Sequence, residues 1–157
     1  MNLTIQPAPV RKQIVVRAAP EKAFRIFTER FDSWWPKALH IGQADAARSV
    51  LQPRAGGRWY EVGVDGTECD WGEVLAFEPP GRLLLAWRIN GRWTYDPKLT
   101  TEVEVTFTDL GDGRTQVDLE HRGLERMGEG ADDVRAQIDS PRGWGGILAG
   151  FQAVAES

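Results

Sequence analysis

The sequence predicts an α+β protein built on an antiparallel sheet, and three observations carry that reading. From Ala47 to Arg122 apolar residues recur with a period of two and are punctuated by turn signals, the pattern of strands joined by hairpins. Helical periodicity flanks that region on both sides, at Pro20–Arg30 and at Arg142–Ser157, and a run of strands between terminal helices argues for segregated helix and sheet layers. Seven tryptophans in 157 residues are too much aromatic surface to leave in water, so the sheet and helices must enclose them.

Taken in order, residues 1–10 hold two prolines and little pattern, and are expected to be a loose leader ahead of a single domain spanning 11–157. Lys12–Arg17 is a β-branched run and the expected first strand. Pro20 suits a first helical position, and Phe24, Phe27 and Phe31 then recur at spacings of three and four and should face inward. Phe31–Trp35 reads as a second short helix stopped by Pro36, while residues 37–46 give no pattern. Expected strands follow at Ser49–Gln52, Arg58–Val64, Glu68–Glu78, Arg82–Ile89, Thr101–Thr108 and Thr115–Arg122, with Asp65-Gly66 and Gly111-Asp112-Gly113 as hairpin turns. A weak helical pattern covers Leu124–Met127 and a better one Ala131–Ile138.

In the final helix Trp144, Ile147, Leu148, Phe151, Val154 and Ala155 share one face, with Ser140 as the expected N-cap and Pro141 at the first turn. Gly145, Gly146 and Gly150 should each cost this helix about 1 kcal/mol relative to alanine, so it needs tertiary contacts, and glycine is expected where the sheet comes close. A twisted sheet of this size curls, and a helix laid across its hollow face can leave a cavity.

Composition excludes several function classes. Nineteen basic residues against twenty-three acidic ones, with no basic block, argue against nucleic acid as a partner. Cys69 is the only cysteine, so there is no internal disulfide and no multi-cysteine metal site, and a reducing compartment fits. No run of eighteen apolar residues spans a membrane, and the N-terminus lacks a signal-peptide core. The expected location is cytoplasmic.

Several segments together resemble a known family. APEKAF (19–24), FDSWWP (31–36), GGRWYE (56–61), WGEVLAFEPPGRLLLAW (71–87), TEVEVTF (101–107), HRGLE (121–125) and GWGGILAGF (143–151) are similar in order and spacing to the activator-of-Hsp90-ATPase-like branch of the START-like superfamily, which also holds polyketide cyclases and Bet v 1-like proteins (SRPBCC). The resemblance covers about residues 12–157. It implies a helix-grip fold: a curved antiparallel sheet of about seven strands wrapped around a long C-terminal helix, with two short helices after the first strand. It also implies a cavity for a lipid, sterol, polyketide or other apolar molecule, with cyclisation or hydroxylation in a few members. The eukaryotic co-chaperone of this branch carries an additional N-terminal domain, for which 157 residues leave no room, and that argues against a chaperone role. The paired cysteines and histidines of iron–sulfur-bearing relatives are missing.

His121 shares strand parity with Thr115, Val117 and Leu119 and should face inward, as a hydrogen-bonding or acid–base group or as a core-edge histidine bonded to backbone. Glu73 runs in parity with Trp71, Leu75 and Phe77, so it is the better inward carboxylate. Glu61 falls opposite the apolar set Tyr60, Val62 and Val64, which speaks against it. His121, Glu73 and Glu61 are the candidate catalytic residues. The expected ligand wall is Trp59, Trp71, Trp87 and Trp93 from the sheet region, Val105, Phe107, Leu119 and His121 from the last two strands, and Trp144, Leu148 and Phe151 from the helix. Two histidines, His40 and His121, without further ligand spacing do not make a metal site, and no cofactor is expected. Three functions follow in order: binding of a small apolar or aromatic molecule, a cyclase- or hydrolase-type enzyme using His121 with a carboxylate, and an interaction module docking through Trp34, Trp35 or Trp93, with a homodimer left open.

Overall fold

The computed structural model describes residues 8–157; most of the expected leader lies outside them. The chain runs β1 (Val10–Val16), α1 (Pro20–Glu29), α2 (Phe31–Trp34), β2 (Ala46–Leu51), β3 (Arg58–Gly63), β4 (Glu68–Glu78), β5 (Arg82–Trp87), β6 (Thr101–Gly111) and β7 (Arg114–Arg122), then a 3₁₀ turn at Leu124–Met127, α3 (Ala131–Asp139) and α4 (Trp144–Ala155). All pairings are antiparallel in the order β1-β7-β6-β5-β4-β3-β2. Hairpins alone account for β2 to β7. The α1–α2 excursion carries the chain from β1 at one edge to β2 at the other. This is the helix-grip arrangement, with α4 packed on the inner face.

Each helix is held by the face its sequence makes apolar. In α1, Pro20 occupies the first turn and Ala23, Phe24, Ile26 and Phe27 are buried, with Thr28 turning its hydroxyl back to Phe24 O at 2.9 Å so that no polar atom is stranded. Phe24 meets Phe77 and Phe107 edge-on, each at 5.2 Å, and Phe27 meets Phe151 of α4 at 5.1 Å. Trp34 donates its indole N–H to Ile26 O at 3.1 Å, locking α2 to α1. Between α4 and the sheet the space is therefore filled: Leu148 and Phe151 are completely buried, as are Val105 and Leu119 beneath them, with Phe107 nearly so.

Strand β4 departs from plain alternation at two places, and both change which of its side chains point inward. Trp59 pairs with Gly72 and Tyr60 with Asp70, so Trp71 is an extra residue on β4; likewise Val74 pairs with Leu85 and Ala76 with Leu84, leaving Leu75 extra. Such bulges shift the parity of everything beyond them. At the first bulge Gly72 brings the backbones of β4 and β5 so close that a Cβ there would lie 1.7 Å from Ala86 O.

The start of α4 also differs from expectation. Ser140 does not cap it; Ser140 ends α3, its backbone N–H and hydroxyl both donating to Gln137 O. A tight turn follows, and Gly143 precedes the helix, in a place where a Cβ would sit 2.2 Å from Ile138 O. The glycine stripe faces this turn and α2 rather than the sheet. A Cβ on Gly146 would approach Pro141 O to 2.3 Å, and one on Gly150 would approach Trp34 O to 3.2 Å. There is room beside this turn, at the N-terminal end of α4.

Candidate functional site

The room is a cleft of about 520 Å³ at the N-terminal end of α4, within the range of small-molecule sites. Three segments border it. The loop after α2 gives Trp35, Leu39, His40 and Ile41; the sheet and the loop that follows β5 give Trp71, Trp87, Ile89 and Trp93; and α3, α4 and the turn between them give Ile138, Arg142, Trp144 and Ile147. Ala38, Gln137, Ser140 and Gly143 complete the lining.

Of the sequence-expected wall, Trp71, Trp87, Trp93 and Trp144 line this cleft. Trp59, Val105, Phe107, Leu119, His121, Leu148 and Phe151 lie outside it and fill the core. Phe24 and Phe27 of α1 pack against Phe107 and Phe151 and fill the hollow those two face. Trp59 Nε1 is buried without a partner among the described residues. Trp35 and the loop residues 38–41 were missed as cleft walls because the loop has no periodicity. Their signal was local: two adjacent tryptophans before a proline, then an apolar-polar-apolar stretch.

Two buried polar side chains set the walls. His121 is fully buried behind Trp87 and Trp144. Its Nδ1 accepts the Trp144 indole N–H at 3.2 Å, so the ring proton is on Nε2, which donates to Thr101 Oγ1 at 2.9 Å; that hydroxyl in turn donates to Trp87 O at 3.0 Å. Every donor in the chain has an acceptor, and the arrangement requires neutral imidazole. Burial agrees, driving the His121 pKa from 6.5 down to about 3. It has no solvent-exposed surface and is not part of the cleft lining.

Glu61 performs the corresponding task on the other wall. It is 1% exposed and accepts the Trp71 indole N–H at 2.8 Å together with the backbone N–H groups of Ile41 and Gly42 at 2.6 and 3.1 Å. The strand parity that placed it outward was wrong. Trp59 and Glu61 form the inward pair of β3, while Val64, counted in the apolar set, is 69% exposed. Glu73 is the reverse correction: beyond the Trp71 bulge it points outward and pairs with Arg88 at 2.7 Å. None of these bonds connects His121 to either carboxylate, so the dyad expected from sequence is not assembled.

Two further indoles of the cleft are anchored on backbone. Trp35 donates to Leu39 O and Trp87 to Ile89 O, both at 3.1 Å. Trp93 stands at the rim, 37% exposed, with a left-handed φ of 58°. Cys69 lies close to Gly42 and Glu61, and burial with the Glu61 charge beside it pushes its thiol pKa up, away from a nucleophile's. Among the described residues no cluster of three or more histidine, cysteine or acidic side chains is placed to hold a metal, and no helix is long and apolar enough to cross a membrane.

Comparison with known proteins adds three findings. The model of the family described as activator of Hsp90 ATPase homolog 1-like protein matches residues 17–156. Among solved structures, an anthrahydroquino-gamma-pyrone synthase, Txn09, is 40% identical, with 93% of this chain and 96% of that one covered and a TM-score of 0.66. The self-sacrificing resistance protein CalC from Micromonospora echinospora is 36% identical over 94% of this chain and 93% of its own, with a TM-score of 0.70. The Aha1 dimer from Colwellia psychrerythraea shares the fold at 16% identity, covering 96% of this chain and 97% of that one, with a TM-score of 0.66. Among curated proteins, none matches the chain in sequence.

Proposed function

The chain belongs to the activator of Hsp90 ATPase homolog 1-like family within the START-like superfamily, and from that premise we propose that it binds a small, flat, hydrophobic or aromatic molecule in the cleft at the N-terminal end of α4. The observation that carries the reading is the wall itself: Trp35, Trp71, Trp87, Trp93 and Trp144 converge on a space of about 520 Å³, and flat aromatic surface is complementary to a flat aromatic guest. The likeness to a gamma-pyrone synthase at 40% identity supports a fused polycyclic ligand over a flexible lipid chain. A cytoplasmic, reducing location fits the one free cysteine.

Tryptophan fluorescence titrated with 2-hydroxyanthraquinone, with cholesterol and phosphatidylcholine as contrasts, tests the reading. Saturable quenching by the anthraquinone at micromolar concentration is the expected result. No quenching, or equal responses to all three, rejects it. A second reading, a ring-closing enzyme, rests on the same 40% identity. An anthraquinone carrying a 1,3-diketone beside a phenol would lose one water on closing to a gamma-pyrone, and a mass spectrum unchanged from the protein-free control discards that reading.

A further inference from the structure

His40 is the one histidine that reaches the cleft. Its Nδ1 lies 2.9 Å from Gly42 O, and a carbonyl can only accept, so Nδ1 carries the proton and Nε2 is left with a free lone pair. Among the described residues none bonds that Nε2. The side chain is 22% exposed, and behind it the buried Glu61 carboxylate sits 3.9 Å from Nδ1. The same carboxylate accepts the N–H groups of Ile41 and Gly42, the two residues that follow His40. The ring is thus held by its own loop, with one nitrogen tied inward and an anion at its back. A positive charge on this imidazole would be offset by Glu61, whereas a positive charge on His121 has no such partner.

Resting on the cleft reading above, we propose that His40, backed by Glu61, receives the acidic hydroxyl of the ligand, a phenol or enol, and takes its proton. The O–H bond of the ligand breaks, its electron pair stays on oxygen as phenolate or enolate, and the proton moves to Nε2. The product is an imidazolium facing Glu61. Around His40 the ionisable groups are Glu61 from β3, Cys69 from β4, whose sulfur lies beside Gly42, and Arg142 from the α3–α4 turn, which shares the cleft lining. Arg142 favours the same ligand anion. The cleft therefore selects polycyclic aromatics that carry an ionisable hydroxyl over their ethers.

The test compares 2-hydroxyanthraquinone, its methyl ether and unsubstituted anthraquinone on the wild-type protein and on His40→Phe and His40→Gln, with thermal melts to verify folding. Wild type is expected to bind the phenol about tenfold more tightly than the ether, and to lower the pH at which the bound dye ionises by about one unit or more, read from its phenolate absorbance. His40→Phe should remove most of both effects, leaving only what Arg142 contributes, while still binding all three compounds. His40→Gln, which keeps a hydrogen-bond acceptor but cannot take a proton, should retain more of the affinity preference than His40→Phe and lose as much of the ionisation shift. Equal affinities of wild type for phenol and ether, or an ionisation shift undiminished in both variants, would overturn the inference and leave the cleft reading standing. No quenching by any of the three compounds would overturn both.

Discussion

Replacing His121 with glutamine should make the protein less stable at neutral pH yet less sensitive to acid. The magnitude follows from the burial of a neutral imidazole. In the unfolded chain His121 titrates near its ordinary value of 6.5, whereas in the folded protein it does so at about 3. Between those values the unfolded state binds a proton that the native state refuses, so stability is complete above pH 6.5 and is lost as pH falls toward 3. From pH 7 to about pH 4.5 this one residue should cost about 2.5 kcal/mol, a substantial share of the stability of an ordinary domain. Glutamine can accept from Trp144 and donate to Thr101 but does not fit the imidazole's shape, which should cost about 1–2 kcal/mol at neutral pH. The two stability curves should therefore converge as the medium is acidified and meet near about pH 5. Urea unfolding followed by tryptophan fluorescence at a series of pH values measures the difference, and acidic residues common to both proteins cancel from it. Parallel curves would refute the reasoning, as would an NMR titration of the His121 ring with a midpoint above pH 5.

Three further outcomes follow from named contacts. Gly145 and Gly146 are neighbours in α4 with opposite surroundings: a Cβ on Gly145 meets nothing nearer than Ser140 O at 3.9 Å, whereas one on Gly146 would lie 2.3 Å from Pro141 O. Gly145→Ala should therefore raise stability by about 0.5 kcal/mol and Gly146→Ala lower it by about 1–3 kcal/mol in urea unfolding. Glu61→Gln places an amide N–H₂ against one of three donors now satisfied by the carboxylate, and should cost about 1–3 kcal/mol and increase hydrogen exchange at Ile41 and Gly42. Trp93→Ala, at the exposed rim, should leave stability within about 0.5 kcal/mol and weaken 2-hydroxyanthraquinone binding about three- to tenfold in a fluorescence titration.

The strands, their hairpin connections and the apolar face of α4 were legible because each is written in a local period. Phe24, Phe27 and Phe31 were equally clear and are all buried. What escaped the sequence depends on partners distant in the chain. The Trp71 and Leu75 bulges are defined by what lies across from β4 on β3 and β5, so alternation along β4 alone put Glu73 on the wrong face. Glu61 was misplaced for a related reason, since an inward carboxylate looks polar in any window and its three donors come from the loop and from Trp71. Of Trp144, Leu148 and Phe151, the helix residues expected to face a cavity, only Trp144 lines the cleft, because the aromatic side chains of α1 and α2 are large enough to fill the rest of the hollow, and volume is not visible in periodicity. Gly146 and Gly150 of α4 do mark close contacts, but with the backbone of the preceding turn and of α2 rather than with the sheet, and Gly145 marks none.

Four of the five cleft tryptophans have already committed their only polar hydrogen within the protein, to Leu39 O, Glu61, Ile89 O and His121. Under the proposed function a ligand therefore meets four indole surfaces that ask for flatness and thickness but cannot count its substituents by hydrogen bonds. Discrimination of that kind is coarse: adding or losing a methyl group on an apolar edge changes affinity by only about 10- to 200-fold at most, and a guest that is merely flat enough will enter. On that reading the cleft is a tolerant receptor, suited to a series of related ring systems rather than to one compound, with its chemical selectivity concentrated where the loop after α2 reaches the rim.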